Sequence, residues 1–136
     1  MPLRFKNTKP LVSIPGGVIS VYAQVTGPAS TRSMKMVLDT GASLTMVPPE
    51  KILAMGYKIP VSRDKIVKIF TASGVEYVPV VVVDSMSALG ITVRRLEVVC
   101  HSLSPDSPVE GLLGLNFLAH LPIFADFVKS LRGRNS

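Results

Sequence analysis

Asp39 is the residue best placed to do chemistry in this chain, and its neighbours indicate what kind. It closes the apolar run Met36-Val37-Leu38 and is followed at once by Thr40-Gly41-Ala42-Ser43. A glycine beside a strand-end carboxylate lets backbone N–H groups come close, hold it in one orientation and partly exclude water. Ala42 is small, Ser43 adds a hydroxyl, and Thr40 can lock the turn. Cutting an amide with water and no metal needs one group to take a proton from the water and another to give one to the amide. Two carboxylates a few ångström apart share a single proton, because both cannot ionise at once, and the pair titrates as a unit. Asp39 could be one half of such a pair.

The other half is not evident in the same chain. The remaining acids are Glu50, Asp64, Glu76, Asp84, Glu97, Asp106, Glu110 and Asp126, and none precedes a Thr/Ser-Gly pair. Asp64 lies between Arg63 and Lys65 and reads as a solvated turn. Asp84 ends a strand and Asp106 sits in a loop. Asp126 alternates with Phe124 and Phe127-Val128 as a strand-edge residue would. Glu110, next to Gly111, leaves open an interface or orienting role. His101 and His120 are isolated, and with one cysteine no zinc site can be drawn. No nucleophile elbow or flagged cysteine suggests a serine or cysteine hydrolase. Neither metal nor other cofactor is expected. The simplest source of the second acid is another copy of Asp39, delivered by an isologous contact between two chains.

The elements that must position Asp39 are mostly strands. Val18–Thr26 alternates Ile19, Val21, Ala23 and Val25 with Ser20, Tyr22, Gln24 and Thr26, a half-buried strand. "GPASTRS" is a turn and Met34–Leu38 the returning strand, so a hairpin delivers Asp39 to a strand end. "PPEKILAMGY" is a short helical turn opened by prolines and closed at Gly56. "KIVKIF" and "VEYVPVVVVD" are strands joined by the tight turn "TASG", with Pro79 demanding an edge or a bulge. "GITVRRLEVVC" is a further strand and "SLSPDSPVE" a loop. "GLLGLNFLAH" begins apolar and turns helical, and "IFADFVKSL" reads as a last strand. The expected class is all-β: a small closed barrel with one short C-terminal helix.

Three elements in order, "LDTGAS", the turn "TASG" between two strands, and "GLLGLNFL", make the chain resemble the retropepsin-like aspartic proteases across roughly Val18 to Val128. The resemblance implies a homodimeric barrel in which Asp39 is catalytic and Thr40, Gly41, Ala42 and Ser43 support it, with Thr40 reaching the partner's backbone. It makes Thr71, Ala72, Ser73 and Gly74 a flap that closes over an extended peptide, although an ordinary hairpin would look the same. Leu113, Gly114 and Asn116 become a second support behind the Asp39 loop, in addition to packing the core. Pepsin-like enzymes resemble two such halves fused; this chain carries the motif once. It departs from the retroviral pattern in its termini and in having Leu115 where a charged residue often precedes Asn116.

The composition fits this reading. The 136 residues suit one domain, here 16–130, between an extended tail at 1–15 and a short tail at 131–136. At 47% apolar residues a core is available. No apolar run approaches a membrane span, and no signal peptide is evident. The lone Cys100 fits a reducing cytoplasm. Fifteen basic against nine acidic residues gives +6, yet the cations are scattered and aromatics few, so nucleic acid is not expected as partner. The leading expectation is an aspartic endopeptidase. A non-catalytic peptide-binding or scaffold module on the same dimer is the alternative, and an RNA-binding basic barrel a more distant one.

Overall fold

The alternation in the sequence closes into a barrel. A computed structural model describes residues 3–4 and 10–13 by their backbone, and residues 18–60 and 65–123 in full. The strand expected over residues 123–131, the tail from 131, and the turn and edge readings of Asp64 and Asp126 therefore fall wholly or largely outside the described residues. The strands are β1 (Leu3–Arg4), β2 (Pro10–Ser13), β3 (Ser20–Thr26), β4 (Thr31–Leu38), β5 (Thr45–Val47), β6 (Ile66–Thr71), β7 (Gly74–Ala88), β8 (Ile91–Cys100) and β9 (Gly111–Leu113). Two short helices accompany them, α1 (Pro49–Ala54) and α2 (Leu115–Leu118).

Six strands form the closed ring, in the order β3-β4-β9-β5-β8-β7, and β7 returns to β3. The β3–β4 hairpin runs in register from Ser20↔Val37 to Thr26↔Thr31. Its inner face, Val21, Ala23, Val25, Met34 and Met36, is buried. The outer edge of β3 is shared: Val12 and Ser13 of β2 pair with its first half, and Ser85–Ser87 of β7 with its second. The segment read as an extended tail thus contributes a strand beside the barrel. Two pairings are parallel and join distant parts of the chain, β4 with β9 and β5 with β8.

Pro79 lies at a change of partner. Residues before it pair with β6, ending at Ile66↔Pro79, and residues after it pair with β8, starting at Val80↔Val99. A residue without an N–H fits this junction because no continuous ladder runs through it. At the far end of β7, Leu89 (φ +54°) and Gly90 (φ +81°) form a two-residue turn with both residues left-handed, matching the twist of the flanking strands. Leu89 tolerates that backbone while packing against the core.

The apolar interior has two parts. The larger holds Phe117, Leu113, Leu118, Ile52 and four buried methionines, Met34, Met36, Met55 and Met86. The smaller holds Val78, Val80 and Val99 with Leu44, Met46, Val67 and Ile69 against them, and lies beneath the β6–β7 hairpin. Cys100 is buried at the end of β8, and burial pushes its thiol up to about 11, so it is inert at neutral pH. No helix among the described residues is long and apolar enough to cross a membrane.

Candidate active site

Asp39 leaves the end of β4 half-buried, and Thr40, Gly41 and Ser43 after it are exposed. The tight loop is closed by its own backbone: Gly41 N–H donates to Asp39 Oδ1 (2.9 Å) and Ala42 N–H to the Asp39 carbonyl (3.2 Å). The first bond fixes the carboxylate from the protein side and leaves Oδ2 without a described partner.

The late Gly-containing element holds this loop from behind. Asp39 N–H donates to the Leu113 carbonyl (3.0 Å), Leu115 N–H to the Ala42 carbonyl (2.8 Å) and Asn116 N–H to the Ser43 carbonyl (3.1 Å). Gly114 is required by close approach: a Cβ there would stand 2.5 Å from the Leu44 carbonyl and 2.9 Å from that of Ala42. Leu113 is fully buried beneath. The residues expected to support the loop, Leu113, Gly114 and Asn116, are therefore brought together with Asp39, Ala42 and Ser43.

Thr45 was not singled out by the sequence, yet it is the hub of this support. It is fully buried. Its hydroxyl donates to Asn116 Oδ1 (2.8 Å) and accepts from Gly114 N–H (3.1 Å), while its own N–H also donates to Asn116 Oδ1 (3.0 Å). Asn116 Nδ2 completes the set by donating to the Glu97 carbonyl (2.7 Å). The available signal was a hydroxyl among inward-facing apolar residues in "LTMVP", where a buried polar group must have partners.

Across from Asp39 stands the β6–β7 hairpin. A cleft of about 410 Å³ has Asp39, Gly41 and Ser43 on one wall and residues 67–71 of β6 on the other, over a floor that includes Met46 and Leu112. Thr71 lines it; Ala72, Ser73 and Gly74 form the tip and do not. Thr71 pairs with Gly74 around the two-residue turn, and its hydroxyl donates to the Gly74 carbonyl (3.1 Å). Gly74 has φ +126° with open space around it, so backbone conformation, not crowding, selects glycine. Phe70 and Tyr77 on the hairpin's outer face are 78% and 71% exposed.

The other candidate residues lie elsewhere. Glu110 is at the end of β9 away from Asp39; its Oε2 accepts from Lys35 N–H (3.2 Å) and its Oε1 is 3.7 Å from Lys51 Nζ. It orients the start of the β4–β9 pairing. His101 Nε2 meets Glu76 Oε2 of the hairpin at 2.9 Å. His120 is exposed after α2. Among the described residues no three of His, Cys, Asp or Glu gather as a metal site. One half-buried carboxylate on a braced loop, facing an apolar cleft under a hairpin, can take or give one proton; among the described residues no second acid lines that cleft beside it.

Comparison with known proteins accords with this geometry. A profile of the family described as "gag-polyprotein putative aspartyl protease" matches residues 25–120. Among solved structures, a retropepsin-like aspartic protease from Rickettsia conorii superposes with a TM-score of 0.60 at 19% identity, over 82% of this chain and 78% of that one, which establishes a shared fold. No curated protein sequence matches.

Proposed function

The chain belongs to the gag-polyprotein aspartyl protease family, and on that footing we propose that it is an aspartic endopeptidase whose active site is completed by a second copy of itself. The observation that carries the proposal is the setting of Asp39: the one acid among the described residues of the cleft, held rigidly from one side, open on the other, at its wall. A two-fold axis beside the exposed Thr40-Gly41 surface brings the two Asp39 carboxylates together around one proton. Thr40 then braces the pair through the partner's backbone.

In the assembled site the ionised Asp39 takes a proton from a water held between the carboxylates, and the water oxygen attacks the peptide carbonyl carbon. The protonated Asp39 hydrogen-bonds the carbonyl oxygen and supports the developing oxyanion. Collapse of the tetrahedral species breaks the C–N bond as a proton passes to the leaving nitrogen. The substrate is an extended peptide lying between the β6–β7 hairpin and the two Asp39 loops, with apolar side chains over the floor around Met46 and Leu112. Thr71, Ala72, Ser73 and Gly74 form the cover that closes over it. No nucleic acid, membrane or cofactor enters this scheme, and a reducing cytoplasm suits the single buried thiol.

The test combines assembly and activity. Sedimentation at micromolar protein is expected to give a dimer, and a peptide-library digest to give cuts that Asp39→Asn reduces by about 10³-fold or more without altering dimerisation. Mixing equal amounts of wild type and Asp39→Asn under subunit exchange leaves roughly a quarter of the activity that the same total amount of wild type shows, because both copies of the acid are needed. Cleavage by a strict monomer, or activity that follows the wild-type fraction linearly, contradicts the shared dyad. Peptide binding without any cleavage would favour the non-catalytic module instead.

A further inference from the structure

Among the described residues lining the cleft two carry charge, Asp39 and Lys68. Asp39 is the acid of the proposed reaction; Lys68 has no part in it. Its ammonium lies 5.3 Å from the centre of the Phe70 ring, and a cation over an aromatic face is held there by the ring's negative surface. The two ion pairs among the described residues do not include it.

The geometry of β6 says what this cation would meet. One edge of β6 is bonded to β7, and the other has no strand partner among the described residues and borders the cleft. A peptide in the cleft adds to that free edge as a further strand. Side chains of an added strand alternate between its two faces in step with those of its neighbour. Val67 and Ile69 face the apolar cluster with Met46 and Val99. Lys68 and Phe70 face the other way, opposite Tyr77 and Val75 across the hairpin. Peptide side chains that enter the floor therefore alternate with side chains that rise beside Lys68 and Phe70.

We infer that Lys68 selects peptides carrying an aspartate or glutamate on the outer face of the bound strand, one residue out of step with the apolar side chains that fill the floor. This rests on the peptidase reading and names its substrate class: acidic residues interleaved with apolar ones. The +6 charge of the chain draws such segments in the same sense.

The experiment is a positional walk. A glutamate, glutamine or lysine is moved one residue at a time through short peptides with a fixed apolar core. kcat/KM is measured for wild type, Lys68→Gln and Lys68→Glu, and binding of the same peptides to Asp39→Asn is followed by fluorescence anisotropy. Wild type is expected to favour glutamate over glutamine about two- to five-fold, the factor a cross-strand opposite-charge pair supplies, at positions of one parity only. Added salt reduces the preference, Lys68→Gln removes it, and Lys68→Glu turns it toward lysine. A flat walk, or a glutamate preference that survives Lys68→Gln, overturns the inference while leaving the peptidase reading intact. Binding to Asp39→Asn that shows the preference, with no cleavage by wild type, supports the subsite and removes the peptidase reading. Absence of all binding and cleavage removes both.

Discussion

The two walls of the cleft are held in different ways. The Asp39 loop is tied to residues 113–116 by three backbone hydrogen bonds, and those residues are tied in turn to the buried Thr45. The opposite wall, the β6–β7 hairpin, pairs with itself up to Pro79, rests on a cluster with three buried members among the described residues, and meets the body through the Glu76–His101 contact. Its outer face leaves Phe70 and Tyr77 in solvent. The contrast separates two demands. On the proposed function, a carboxylate that meets its twin within hydrogen-bond distance needs fixed geometry, and the satisfied buried network supplies it. On the same proposal, a cover that admits an extended chain needs a low cost of opening, and an edge hairpin with few buried contacts among the described residues supplies that.

Three substitutions would break or sharpen this contrast. The largest effect is expected from Gly114→Ala on the rigid wall. The new methyl has the Leu44 carbonyl in its way, and the network around Thr45 resists adjustment, so urea unfolding should show a loss of about 3 kcal/mol, the upper end for overpacking. A loss below about 0.5 kcal/mol would mean that this wall yields readily and the contrast is overstated. Next is Thr45→Val, which keeps shape but deletes the hydroxyl serving Asn116 and Gly114. The Gly114 N–H is then buried without a partner, at a cost of about 1–2 kcal/mol. Hydrogen exchange should rise at Gly114, and any peptidase activity should fall through kcat because Asp39 is less well placed. The smallest is Glu76→Gln on the hairpin. A partly exposed carboxylate–imidazole contact contributes under about 1 kcal/mol, so global stability should barely change while amide exchange across Ile66–Val78 accelerates and KM rises. Global destabilisation without local exchange would assign the Glu76–His101 pair to the body instead.

Much of this division could be read before the structure. The alternation at Val21, Ala23 and Val25 reports one buried face, and Asp39-Thr40-Gly41 has few uses other than a tight carboxylate loop. The turn at Thr71–Gly74 is where its residue types put it. Other features depend on partners remote in sequence. Thr45 looks like any β-branched strand residue until Asn116, 71 positions away, is placed beside it. Pro79 called for an edge or a bulge, but that it marks a handover between β6 and β8 depends on how far each neighbour extends. The Leu89-Gly90 turn lacks the asparagine or aspartate usual at left-handed positions, because packing of Leu89 against the core outweighs local preference. Glu110 stands beside Gly111 in the sequence, but its contacts with Lys35 and Lys51 depend on chain far from it.

The parallel pairing of β4 with β9 also sets a timetable. During vectorial synthesis Asp39 leaves the ribosome long before Leu113, Gly114 and Asn116 exist, so the nascent chain carries its acid on an unbraced segment. Closing so long a loop comes late in folding. On the proposed function, hydrolytic power is then withheld until nearly the whole barrel is made, protecting a half-finished polypeptide and its neighbours from being cut.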